Sequence, residues 1–118
     1  MPQPAERGMK QREIWQANLN PTKGSEQAGF RPVVIVSGNL MNKYLNVLIA
    51  CPLTSKLKNY KGHVILQPNE ENGLTEASEI LNIHVRSISK DRLVKRVGRI
   101  TQKELELTKK GLNEILTL

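Results

Sequence analysis

Four apolar, β-branched residues stand in a row at positions 33–36, Val-Val-Ile-Val, and restrict this chain more than any other stretch. Such side chains lose freedom in a helix and pack well on a pleated surface. Successive strand residues point to opposite faces, so the run places apolar groups on both. It therefore reads as a strand buried on both sides. Directly before it come Arg31 and Pro32, preceded by "NPTKGSEQAG", residues 20–29, a loop dense in turn formers. Pro32 biases Arg31 toward extended backbone. A charge at the mouth of a buried strand needs a partner or a task.

The same reasoning runs along the chain. Glu13–Leu19 alternates loosely and reads as a first strand. Asn46–Leu53, closed by Pro52, and Gly62–Gln67, bounded by Pro68, are further apolar runs. Glu79–Ser89 alternates with period two, turning Leu81, Ile83 and Val85 toward a core and Asn82, His84 and Arg86 away from it. Val94–Ile100 reads as a short strand, with a short helix as the alternative. The last segment reads as a helix. Thr101 and Glu104 form a capping-box pattern, and Leu105, Leu112, Ile115 and Leu116 share one face. Gly111 weakens that helix by about 1 kcal/mol relative to alanine. The expected fold is mainly β with a C-terminal helix, a small bent sheet or barrel.

A length of 118 residues implies one domain. We place it at residues 10–118, after an extension at 1–9 that reads as disordered or as a leftover of cloning; Met9 offers an alternative start. "MPQPAERG" has no apolar centre and is not a signal peptide. No run of eighteen apolar residues exists to span a membrane as a helix. The single cysteine, Cys51, excludes an internal disulfide and fits a reducing, cytoplasmic compartment. The net charge of +7 favours an anionic partner: nucleic acid, an acidic protein segment or a membrane surface. The charge is uneven. Nine Lys/Arg and three Asp/Glu lie between Arg86 and Lys110, whereas the acidic stretch Glu70–Glu79 holds no basic residue.

There is no CxxC pair, Walker loop, GxGxxG or GxSxG, and the two histidines, His63 and His84, stand far apart. Neither a protein-held metal nor a cofactor is expected. The remaining candidates sit at strand edges. Arg31 either pairs with a carboxylate at the surface or aims a planar, permanently charged fork at a phosphate. Thr54 and Ser55 either cap a turn or donate hydrogen bonds to phosphate oxygens. Lys56, Lys58 and Lys61 add positive charge nearby, and Tyr60 an aromatic face for a base. His84 shares a strand face with Asn82 and Arg86, a row suited to reading bases. His63 reads as structural.

"EIWQANLNPTKGSEQAGFRPVVIVS", "PLTS" at Pro52–Ser55 and "VRSISKDRLVKRVGRIT" together resemble the MazF/PemK family of toxin endoribonucleases, closest to its MazF-like branch. The resemblance spans nearly the whole chain from Lys10. It implies an SH3-like barrel acting as a homodimer. It implies sequence-specific, metal-independent cleavage of single-stranded mRNA and neutralisation by an antitoxin with an acidic tail. Arg31 and Thr54 fall on the family's catalytic arginine and threonine. Glu26 and Gln27 belong to the loop that shapes and gates the RNA groove, with Ser55, Lys56, His84 and Arg86 as further RNA contacts. The PemK-type Arg-x-Asp is absent, since Leu81 and Ile83 stand there, and so is that branch's loop histidine, replaced by Ser25. The implied chemistry is attack by the RNA 2′-hydroxyl, leaving a 2′,3′-cyclic or 3′-phosphate and a 5′-hydroxyl. Duplex DNA, lacking that hydroxyl, is not an expected substrate. A guanidinium is a poor base, so Glu26, His84 and an unusually perturbed Arg31 remain candidates for the proton acceptor. The competing reading is a CcdB-like toxin of similar fold that binds a protein target such as gyrase without catalysis.

Overall fold

The computed structural model describes residues 9–19 and 29–117. The expectations for the N-terminal extension, for the loop through residues 20–28, and for Glu26 and Gln27 within it, lie outside the described residues.

Strand β1 (Glu13–Asn18) pairs antiparallel with β2 (Phe30–Ile35), and β2 with β3 (Val47–Thr54). Strand β4 (Ile65–Leu66) pairs with β5 (Ser78–Ile80), which joins β3. Strand β6 (Arg86–Ser89) also joins β3, and β7 (Leu93–Arg99) closes on the free edge of β1. The result is a curled, half-barrel sheet ordered β4-β5-β3-β2-β1-β7, with β6 branching from β3. A short helix, α1 (Asn39–Tyr44), links β2 to β3, and helix α2 (Gln102–Thr117) ends the fold.

The apolar run at 33–36 is buried as its composition requires, and alternation divides it between two cores. Val33 and Ile35 join Trp15, Leu48 and Ile88 on one face. Val34 and Val36 join Ile14, Leu53 and Leu105 on the other. Cys51 lies in this second core, where burial pushes its thiol pKa up to about 12 and leaves it unreactive.

Three expectations are corrected. The first is the single strand at Glu79–Ser89, which is broken by a 3₁₀ turn at Asn82–His84. Its two halves pair in succession with the same edge of β3, at Leu53–Thr54 and Val47–Ala50. The turn inverts the expected facing: Asn82 is fully buried and Ile83 is 53% exposed. The reason is tertiary. The Asn82 amide inserts against α2, its Nδ2 donating long hydrogen bonds to the carbonyls of Gly62 (3.4 Å) and Thr108 (3.5 Å). The second correction is that the run at Gly62–Gln67 contributes only a two-residue strand. The third concerns the helix face. Leu105, Thr108 and Gly111 are buried and Leu112 packs on the second core, whereas Ile115 and Leu116 are exposed. The capping box forms as expected, Thr101 N–H to Glu104 Oε1 at 2.8 Å and Glu104 N–H to Thr101 Oγ1 at 3.1 Å. The alternative at Val94–Ile100 resolves as the strand β7.

Gly111 has a role that helix propensity does not disclose. A Cβ there would stand 2.4 Å from both the Gly62 carbonyl oxygen and Asn82 Nδ2. Propensity alone would make Gly111→Ala stabilising by about 1 kcal/mol. Overpacking reverses the sign, and a net loss of about 1–3 kcal/mol is expected in chemical denaturation. A variant as stable as the parent would show that the contact yields freely.

Candidate active site

Arg31 is the second residue of β2 and is half-buried. Ala17 of β1 pairs with it. Strand β2 pairs Val33 with Pro52, Val34 with Cys51 and Ile35 with Ala50. The same register, run two residues further, sets Arg31 opposite Thr54. Thr54 in turn pairs with Glu79 on β5. Directly opposed residues share a face, so Ala17, Arg31, Thr54 and Glu79 form one row across four strands.

Thr54 is the last residue of β3 and is 6% exposed. Its Oγ1 accepts the Lys56 N–H at 3.1 Å, which turns the chain. The hydroxyl proton remains available for donation. Ser55 and Lys56 follow, both exposed.

Glu79 is the residue that the sequence pattern does not single out. Its carboxylate is fully buried. Oε1 accepts the N–H groups of Lys58 (2.6 Å) and Asn59 (2.8 Å), and Oε2 that of Tyr60 (3.3 Å). His63 Nδ1 lies 2.5 Å from Oε2. Burial pushes the carboxyl pKa up, but the Asn59 N–H, the His63 imidazole and the Lys58 and Tyr60 N–H groups outweigh it and hold the pKa below the ordinary carboxylate value. The loop carrying Lys56, Lys58, Lys61 and Tyr60 is thus folded around one buried anion beside Thr54. In sequence Glu79 merges into an acidic stretch, yet it alone of those glutamates leads directly into Ile80 and Leu81. His63 is structural, as its isolation in sequence implies.

His84 ends the 3₁₀ turn, half-buried, with its N–H donated to the Leu81 carbonyl at 3.1 Å. Arg86 opens β6 opposite Ala50, on the same face as Arg31 and Thr54. Its Nη1 is buried and has no hydrogen-bond partner among the described residues. The expected row of Asn82, His84 and Arg86 does not exist, because the turn carries Asn82 into the interior.

Much of the basic stretch after Arg86 holds the fold together. Lys90 Nζ donates to the Asn42 carbonyl, Arg92 Nη1 to that of Asn18 at 3.0 Å, and Arg96 pairs with Glu13 at 3.0 Å. Positive charge beside the row comes instead from Arg31, Arg86 and the loop lysines. A cleft of about 170 Å³ opens next to Arg31, lined among others by Phe30, Leu53, Ser55, Thr75 and Glu76. A larger hollow of about 400 Å³, between Gly62–Ile65 and α2, contains no residue of the row. Among the described residues no group of three His, Cys, Asp or Glu could hold a metal ion. No helix among them is long and apolar enough to cross a membrane.

A mainly β half-barrel closed by a C-terminal helix, with Arg31 beside a cleft and Thr54 across from it at the strand ends, defines a small protein with a basic site at those ends. The chain belongs to the PemK-like, MazF-like toxins of type II toxin–antitoxin systems, whose family model matches residues 10–116. The endoribonuclease toxin MazF of Escherichia coli K12 is 33% identical over 103 residues, spanning 87% of this chain and 88% of that protein. The endoribonuclease MazF of Staphylococcus saprophyticus is 31% identical, over 83% of this chain and 82% of its own. The crystal structure of MazF from Deinococcus radiodurans superposes with a TM-score of 0.80 at 25% identity, covering 93% of this chain and 97% of that one. A mycobacterial endoribonuclease solved with its cognate antitoxin shares the fold, with a TM-score of 0.77 at 19% identity over 94% of this chain and 97% of its own.

Proposed function

We propose that this chain is the toxin of a type II toxin–antitoxin pair, and that it cuts single-stranded mRNA at a short sequence by a metal-independent route. The observation that carries this reading is the β2–β3 register, which, extended by two residues, opposes Arg31 and Thr54. The endoribonuclease relatives support it.

RNA supplies its own nucleophile, the 2′-hydroxyl. Cleavage then requires that this oxygen lose its proton, that the charge on the pentacoordinate phosphorus be stabilised, and that the leaving 5′-oxygen be protonated. The Arg31 guanidinium grips two oxygens of the scissile phosphate through its planar fork. Thr54 donates its hydroxyl proton to the same group. Arg86, opposite Ala50 on that face, takes a neighbouring phosphate. Ser55 and Lys56 extend the cationic, hydrogen-bonding rim, and His84 lies at its edge. Glu26 and Gln27 are further candidates for RNA contact. An antitoxin's acidic segment would cover the same positive surface, by charge complementarity. The toxin works as a homodimer in the cytoplasm, without a cofactor.

A 2′-deoxy substitution at the cleaved nucleotide tests the nucleophile. Cleavage at that bond is expected to vanish while neighbouring sites persist, and cutting at the substituted bond would exclude 2′-attack. Thr54→Val is expected to lower the single-turnover rate by about 10²–10³-fold, the usual cost of losing one donor to a developing oxyanion. An unchanged rate would remove Thr54 from the chemistry. Glu26→Gln and His84→Ala, compared across pH, identify the proton acceptor by which of them flattens the acidic limb of the profile, where a general base is lost to protonation.

A further inference from the structure

The cleft beside Arg31 sets Phe30, Thr75 and Glu76, which phosphate binding does not use, beside Ser55 of the rim. Phe30, the first residue of β2, is 62% exposed and lines it together with Leu74. Ser55, Thr75 and Glu76 also line it, all three exposed. Their side-chain oxygens make no hydrogen bond or ion pair among the described residues. The far wall is ordered. Asn72 is buried and its side chain accepts the N–H groups of Asn69 (3.1 Å) and Leu74 (3.0 Å). Ser78 Oγ donates to the Glu76 carbonyl at 3.0 Å, fixing the backbone from which the carboxylate projects. An exposed aromatic, an apolar floor and a rim of uncommitted oxygens form the combination that holds an unstacked base by its face and reads its edge.

We propose that this cleft is a base-recognition subsite selecting a guanine that flanks the scissile phosphate; this rests on the endoribonuclease reading above. Arg31 lines the same cleft as Phe30, so a base over Phe30 belongs to a nucleotide close to Arg31. Glu76 sets the identity. A carboxylate only accepts hydrogen bonds, through two oxygens. Guanine alone offers two adjacent donors on its Watson–Crick edge, N1–H and the N2 amino group, matching both oxygens. Adenine and cytosine present one amino donor beside a bare ring nitrogen that would face the second oxygen. Uracil presents one N–H between two carbonyls. The hydroxyls of Ser55 and Thr75, in the same cleft, supply donors suited to the guanine O6 and N7 acceptors. An acidic peptide would meet the Glu76 carboxylate with like charge, which favours a neutral base as the occupant.

The test is cleavage of a randomised single-stranded RNA library by the full chain under single-turnover conditions, with fragment ends sequenced. Guanine is expected to dominate one position flanking the cut. Glu76→Gln, an exposed change, is expected to reduce that preference by about 5- to 150-fold, the discrimination of one bidentate contact, and to leave preferences elsewhere intact. Phe30→Ser is expected to raise KM by a similar factor for every sequence, with kcat little changed, because stacking does not depend on base identity. Cleavage with no guanine preference, or with a preference that Glu76→Gln does not alter, would overturn the proposal while leaving the nuclease reading intact. An uncut library would overturn the nuclease reading, and this inference with it.

Discussion

Arg31→Ala is expected to lower the single-turnover rate of RNA cleavage by at least about 10²–10³-fold, because under the proposed mechanism it removes the principal charge stabilising the phosphorane. The fold should be retained. Arg31 is half-buried at the start of β2, and the strand's packing rests on Val33, Val34 and Ile35 beyond it. Far-ultraviolet circular dichroism and the denaturation midpoint should therefore stay near those of the parent. Arg31→Lys separates charge from geometry. A lysine keeps the positive charge but loses the two-pronged fork, so it should recover only part of the rate. Full activity in Arg31→Lys would show that a point charge suffices. Full activity in Arg31→Ala would place the chemistry elsewhere.

The second large effect is on stability. Glu79→Ala leaves the N–H groups of Lys58, Asn59 and Tyr60 without their acceptor and strips His63 of its partner. A loss of about 3 kcal/mol at neutral pH is expected in urea denaturation, the scale for hydrogen bonds to a buried charge. The pH dependence has a definite sign. Glu79 is held below its ordinary value of 4.5. Its contribution is therefore complete above that value and is lost as the pH falls through the lower folded-state value. The parent should lose stability below about pH 4.5 more steeply than Glu79→Gln, and the two curves should converge in acid. Parallel curves would show that the carboxylate's charge is not what organises the loop. Because that loop carries Lys56, Lys58 and Lys61 beside Thr54, Glu79→Gln should also weaken RNA binding and make it less salt-dependent.

What the sequence discloses and what it hides follow from the range of the forces involved. The strand at 33–36 is legible because a two-residue period with every position apolar has one solution, a strand covered on both faces. The start of α2 is legible because Thr101 and Glu104 satisfy each other's backbone within four residues. Arg31 and Thr54 stand out as a charge and a hydroxyl at the ends of apolar runs, and their motif carries the family resemblance; that they are opposed follows from the β2–β3 register. Glu79 is hidden because its partners are backbone N–H groups about twenty residues away, and a sequence gives no sign of which amides turn inward. Asn82 is hidden for a related reason. Its amide is drawn inside by carbonyls on α2 and the Gly62 loop, and this overrides the period that assigns it to the polar face. Helix α1 escapes notice because Asn42 is its only buried residue, while Leu40 and Tyr44 point outward, so no amphipathic pattern marks it.

The central proposal, metal-independent attack by the RNA's own 2′-hydroxyl at a site built on Arg31 and Thr54, is tested most directly by the chemistry of the ends. The full chain should be incubated with a long single-stranded RNA in excess EDTA and the products analysed by mass spectrometry. Discrete fragments are expected, with a 5′-hydroxyl on one side of each cut and a 2′,3′-cyclic or 3′-phosphate on the other. Fragments carrying a 5′-phosphate and a 3′-hydroxyl, or cleavage abolished by EDTA and restored by a divalent metal, would contradict it.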